Sequence, residues 1–269
     1  MRGLASLPLL WSAPALTQVW TRLPDHPGVP RDDASSFVIG TKLYVGTGMD
    51  AGFQLTNDWW CFDASTESWS AIAALPSTGR MHCAAFAIDG RGYLFGGVDA
   101  NGYLNELWCY DPNTDDWTQG PSLPGGGRMS HVAFTLGDTG YIATGRFGPD
   151  EAITNELWAF VPGTGQWTQR ASLPGDPRLL GAACADDAYG YLFTGQDAAQ
   201  QGVTDAWRYD PVNNAWSALP ACIGAARFAA NAFMVQGTAH VLCGATTYTD
   251  PYLNDHFGFA TASQNWSPL

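Results

Sequence analysis

Arginine is the residue whose spacing first points to chemistry. It recurs at Arg31, Arg80, Arg128, Arg178 and Arg227, at intervals of 49, 48, 50 and 49 residues. A guanidinium is a planar fork of donors that can hold a carboxylate or phosphate through two bonds. Five forks related by a repeat would ring one end of a central channel, so they form a candidate ligand-binding set. The competing reading is structural, with each arginine bonded to carbonyls or acids of a neighbouring repeat. His82 and His131 follow Arg80 and Arg128 closely enough to share the channel, and they join the candidate set beside the alternative of packed or solvated histidines. No side chain singles itself out as a catalytic base or nucleophile.

Metal chemistry has little to stand on. His26, His82, His131, His240 and His256 share no ligand spacing, no Cys-x-x-Cys pair exists, and no calcium-loop spacing is present. No metal or other cofactor is expected. The six cysteines are Cys61, Cys83, Cys109, Cys184, Cys222 and Cys243. Cys184 stands where other repeats have phenylalanine, and Cys61 and Cys109 occupy matching sites of successive repeats, about 10 Å apart by sheet-packing distance and too far for a bridge. Buried thiols acting as small hydrophobes are the expectation. Cys222 alone falls in a connection, where it is open to reaction or pairing.

What must position these residues is a repeat of 48 to 50 residues. Two more series keep step with the arginines: Gly48, Gly97, Gly145, Gly195 and Gly244, and Trp20, Trp69, Trp117, Trp167, Trp216 and Trp266. Each unit reads as four strands. The first carries Phe37, Phe86, Phe134, Cys184 or Phe233, six places after its arginine. The second runs to the glycine, as in Tyr93-Leu94-Phe95-Gly96-Gly97. The third places two aromatics on one face, such as Trp108 and Tyr110, by the two-residue period of a strand. The fourth holds the repeating tryptophan. Asp111-Pro112-Asn113-Thr114 and Asp210-Pro211-Val212-Asn213 read as tight turns between the third and fourth strands. The pairs Asn57-Asp58, Asn105-Glu106, Asn155-Glu156, Thr204-Asp205 and Asn254-Asp255 read as turn and cap residues. Loops of differing sequence at 51–56, 100–104, 147–154, 198–203 and 246–253 are where binding specificity would be displayed.

One such sheet cannot bury both faces alone; stacking the units radially covers them. The Tyr-Leu-Phe-Gly-Gly of the second unit, Leu107-Trp108-Cys109-Tyr110-Asp111-Pro112 and the spaced tryptophan resemble the kelch motif over residues 16–269. The resemblance implies an all-β, kelch-type β-propeller of four-stranded antiparallel blades. The glycine doublet is relaxed, since Thr47, Thr144, Thr194 and Cys243 stand where blade 2 has Gly96. Five repeats are complete, and Trp20 adds an N-terminal fourth strand. Either five blades close and that strand is surplus, or the plan is six-bladed with the last blade incomplete. The second reading is preferred, because residues 20–24 keep the fourth-strand pattern.

Composition narrows the function. The net charge is -13 and Lys42 is the one lysine, so no basic stripe exists and nucleic acid is not expected as a partner. No apolar run is long enough to span a membrane. Residues 1–15 read as a secretion signal, with Arg2, a short apolar stretch and Ala13-Pro14-Ala15 as a cleavage site, which implies a secreted, periplasmic or cell-surface protein. Galactose oxidase shares the kelch propeller, but its copper ligands do not map here. The expectation is a module binding a protein or glycan. The alternative, drawn from a resemblance to sialic-acid epimerases, is an enzyme at the channel mouth, which would use Arg80 or Arg128 to hold the sugar carboxylate.

Overall fold

The computed structural model describes residues 21–148 and 150–269. Trp20 and the leader-like residues 1–15 lie outside the described residues. Five four-stranded antiparallel sheets follow one another along the chain, each ordered inner to outer as the chain runs. Blade 1 is Ser35–Ile39, Lys42–Gly46, Trp59–Asp63 and Ser68–Ile72. Blade 2 is Ala84–Ile88, Arg91–Phe95, Leu107–Asp111 and Asp116–Gln119. Blade 3 is Val132–Leu136, Thr139–Ala143, Leu157–Val161 and Gln166–Arg170. Blade 4 is Ala182–Ala185, Gly190–Phe193, Ala206–Asp210 and Ala215–Leu219. Blade 5 is Asn231–Val235, Thr238–Leu242, His256–Ala260 and Asn265–Pro268. No helix is present among the described residues, and so none that could cross a membrane.

The core lies between blades. Phe37, Phe86 and Phe134 are each 4% exposed. Each lies against a glycine of the following blade: Gly92, Gly140 and Gly190, where any Cβ would meet the ring within 2.1 to 2.3 Å. A side chain at these glycines would drive the sheets apart, and that is how the repeat sets blade spacing. Tyrosines of one blade pack on third-strand aromatics of the next, as Tyr44 does on Tyr110 and Tyr141 on Tyr209.

Two backbone-directed bonds tie each blade to its neighbour. Gly48, Gly97, Gly145 and Gly195 donate N–H to the carbonyls of Arg80, Arg128, Arg178 and Arg227 at 2.7 to 3.0 Å. The indole N–H of each repeating tryptophan reaches the carbonyl four residues past the preceding tryptophan. Trp117 thus bonds Ala73, Trp167 bonds Pro121, Trp216 bonds Ala171 and Trp266 bonds Pro220, at 2.8 to 3.0 Å. Trp69 makes the same bond to Pro24 at 3.0 Å, four residues past Trp20. Residues 21–24 form no strand themselves; Pro24 lies where the tail of a fourth strand lies in the other repeats.

Inner strands pack in succession from blade 1 to blade 5, and no comparable packing joins blade 5 to blade 1 among the described residues. Phe233 and Val235 on the inner strand of blade 5 are accordingly 41% and 46% exposed.

Candidate functional site

The five arginines do not form a rim on the channel. Arg80, Arg128 and Arg227 have no exposed surface and Arg178 has 1%. Each guanidinium is clasped by the acid just ahead of its own blade's third strand. Arg31 meets Asp58 at 2.6 and 2.8 Å, Arg80 meets Glu106 at 2.8 Å, and Arg128 meets Glu156 at 2.9 Å. Arg178 grips Asp205 and Arg227 grips Asp255 in the same two-pronged way. In four blades the acid also accepts the indole N–H of the tryptophan two residues on: Trp60, Trp108, Trp158 and Trp207. In blade 5 the ring at that place is Phe257, and Arg227 lies 5.3 Å from its centroid. Arg31 holds the Asp58 carboxyl below the usual range, and Arg227 does the same for Asp255. These acids are therefore the second half of a buried clasp, beyond the turn-and-cap role the sequence indicates. Asn57 and Asn155 do act as caps, donating to the carbonyls of Leu75 and Leu173.

What rings the channel mouth is the pair of residues that follows. Two places after the arginines stand Asp33, His82, Ser130, Leu180 and Ala229, all with φ between 50° and 57°. Three places after stand Ala34, Cys83, His131, Gly181 and Ala230. Both sets line one cavity of about 400 Å³, completed by Asn231 and Tyr252. The left-handed turn swings the chain from the clasp into the inner strand and leaves the first set of side chains at the mouth. The backbone links the ring from blade to blade: Ser130 N–H bonds the His82 carbonyl, Leu180 bonds Ser130 and Ala229 bonds Leu180, at 2.8 to 2.9 Å. The repeating glycines make room for this segment. A Cβ on Gly97 would lie 2.4 Å from Cys83 Sγ, and one on Gly145 would lie 2.8 Å from His131 Cβ.

Polar chemistry is concentrated on blades 1 to 3. His82 Nδ1 lies 3.3 Å from Asp33 Oδ1. Burial raises the Asp33 carboxyl above its usual range, and the neighbouring His82 partly offsets this. His131 is 6% exposed, and neither ring nitrogen makes a well-formed hydrogen bond, although the backbones of Phe95 and Met129 lie close enough to act on it. Burial, with the Arg128 charge behind it, pushes its pKa down to about 3, so the imidazole is neutral. A second hollow of about 290 Å³ continues from the first, sharing Asp33, His82, Leu180, Ala229 and Tyr252 and adding Phe228, Tyr248 and Asp250. Tyr252 is 81% exposed, and Tyr248 is anchored by its hydroxyl on Gln196 Oε1 at 2.7 Å. Both come from the 246–253 loop of blade 5.

The structure thus brings His82 and His131 to one cavity and keeps Arg31, Arg80, Arg128, Arg178 and Arg227 behind it. Asp33 and Asn231 are lining residues that sequence reasoning missed, while Tyr248 and Tyr252 belong to the 246–253 loop that it marked for binding without naming them. The available signal was the position two after the arginine, where residue type changes from blade to blade while the landmark does not. All six cysteines are free. Cys222 is buried, with its thiol pushed up to about 11, and Cys83 at the mouth is pushed up to about 12, both by burial. Neither has the thiolate character of a reactive cysteine.

The family model described as the KLHDC2/KLHL20/DRC7 Kelch-repeats domain matches residues 9–177. N-acetylneuraminate epimerase of Shigella sonnei (strain Ss046) is 33% identical over 115 residues, which are 39% of this chain and 31% of that protein. N-acetylneuraminate epimerase of Escherichia coli (strain K12) is 32% identical over 115 residues, with the same shares. The matched stretch spans about a third of those relatives' own length. A solved structure titled "Structure of YjhT" superposes with a TM-score of 0.79 at 19% identity, covering 91% of this chain and 85% of that one. That likeness concerns the fold.

Proposed function

The chain belongs to the kelch-repeat family, and from that premise we propose that it is a saccharide-binding propeller whose ligand sits at the channel mouth. The observation that carries this is His131, a neutral and unpartnered imidazole buried at the wall of a polar cavity. Leaving such a group without a partner costs about 1–3 kcal/mol, and a hydroxyl-bearing ligand can supply the missing bonds. The cavity volume of about 400 Å³ is of the small-ligand class. Tyr252 offers an exposed aromatic face at the rim, and Asp33, His82 and Asn231 offer hydrogen-bonding groups around it. A concave polar hollow of this size fits a sugar better than the flat surface of a protein partner.

The test is a glycan array followed by calorimetric titration of the hits against the wild type, His131→Phe and Tyr252→Ala. Each variant is expected to weaken binding at least about tenfold, or 1.4 kcal/mol. A saccharide bound equally well by all three proteins would sink the proposal.

A second reading places catalysis at the same mouth. The Asp33–His82 pair is a carboxylate and an imidazole 3.3 Å apart, and the matched relatives are named as epimerases. Interconversion of sugar anomers needs a proton taken from the anomeric hydroxyl and one delivered to the ring oxygen, work suited to this pair. Magnetization-exchange NMR on the anomeric proton would detect it, and Asp33→Asn and His82→Gln should each return the rate to that of buffer. Export from the cytoplasm is part of the same proposal. It rests on the leader-like residues 1–15 and is tested by sequencing the N-terminus of protein recovered from outside the cytoplasm.

A further inference from the structure

We infer that the channel-mouth cleft selects its saccharide by charge, accepting a cationic amino sugar and rejecting sugar acids. The inference rests on the saccharide-binding reading and specifies its ligand class.

The cleft carries carboxylates and no fixed cation. Asp33 lines both hollows, and Asp250 lines the second. No arginine or lysine side chain lines either hollow among the described residues. The five guanidiniums lie behind the ring, each in contact with its own blade's acid, although Arg128 spends only Nη2 on Glu156 and its Nε and Nη1 are buried without a partner. His131 offers hydrogen bonds but no charge, because burial and Arg128 keep it neutral. His82 already faces Asp33, its Nδ1 3.3 Å from Oδ1.

The Asp33 side chain is 33% exposed at the rim of both hollows, its carboxyl is raised by the partial burial, and a cation placed close to it favours the charged form. An ammonium group on a sugar supplies that cation. A sugar carboxylate would instead approach Asp33 as a like charge in a partly dehydrated hollow that no guanidinium lines. The whole chain, at a net charge of -13, adds to the same bias. The buried, unpartnered imidazole of His131 holds the neutral hydroxyls that all sugars share, so charge is what separates them.

The experiment titrates the full chain with glucosamine, glucose and N-acetylneuraminate at pH 7 in low salt. Glucosamine is expected to bind tightest and N-acetylneuraminate at least about tenfold more weakly. Asp33→Asn should narrow that spread. Raising the salt on the wild type should narrow it too, since screening weakens charge selection, and this arm needs no variant to fold. N-acetylneuraminate binding as tightly as glucosamine, and lost in His131→Phe, would overturn charge selection and leave the saccharide-binding reading standing. Failure of all three sugars to bind would overturn both.

Discussion

Arg31 and Asp58 meet as two parallel prongs, Nη1 to Oδ1 at 2.6 Å and Nη2 to Oδ2 at 2.8 Å. The bond fixes where the arginine's blade begins. It draws the chain back under the third strand, and the next two residues turn through a left-handed Asp33 into the channel wall. An arginine-carboxylate pair recurs in every blade, two-pronged in blades 1, 4 and 5 and through a single Nη2 in blades 2 and 3, so the landmark arginines build the mouth without lining it.

Breaking one clasp should therefore cost stability before it costs ligand. Asp205→Asn leaves Arg178, 1% exposed, with a charge no longer matched. Removing one partner of a buried pair costs about 3–5 kcal/mol, and the partial exposure of Asp205 reduces this to about 2–3 kcal/mol. Urea denaturation would read the loss. A variant of unchanged stability that no longer binds its saccharide would mean that the arginine is a ligand residue after all.

His131 gives the fold a dependence on mild acid. Its pKa falls from an ordinary 6.5 to about 3 in the folded chain. Between those values the unfolded chain takes up a proton that the folded chain refuses. Stability is then fully present above pH 6.5 and declines below it, by about 1.4 kcal/mol per pH unit. At pH 5 the loss should approach 2 kcal/mol by the same slope. Denaturation midpoints at pH 7, 6 and 5 should fall in the wild type and stay level in His131→Phe. Parallel curves would show that the imidazole is not held neutral.

Gly96 and His131 form a matched pair across blades 2 and 3. A Cβ on Gly96 would lie 3.1 Å from His131 Cε1 and 2.7 Å from the Arg128 carbonyl. At the same position blades 1, 3 and 4 carry threonine, at φ of 59°, 64° and 57°. The residue three after the next arginine is then Cys83, Gly181 or Ala230, all smaller than histidine. Gly96→Thr should cost about 1–3 kcal/mol by overpacking, and Gly96→Thr with His131→Ala should recover part of it. A double-mutant cycle measures the coupling, and strict additivity would contradict the pairing.

The fold was legible because three landmark series have independent physical causes that share one period. Glycine is needed for close approach, tryptophan for the indole bond between blades, and arginine for the clasp. The site was half legible. His82 and His131 were singled out because they follow an arginine, and both lie in the cavity wall. The arginines take the structural role that stood beside ligand binding in the sequence reading, but with acids of their own blade, which were not legible as partners because Asp58 and its counterparts sit 26 to 28 residues downstream. That distance hides an ion pair inside what reads as a turn. Asp33 escaped notice, and Tyr252 was marked only as part of the 246–253 loop, because the mouth is assembled from five separate segments and no local pattern in the chain joins them.

The most direct test is NMR of selectively labelled histidine and arginine side chains during titration with a saccharide found on the array. The account predicts that the ring resonances of His82 and His131 shift in step with saturation while the guanidinium Nε resonances of Arg31, Arg178 and Arg227 stay in place. Shifts confined to those arginines, with His131 unmoved, would contradict it.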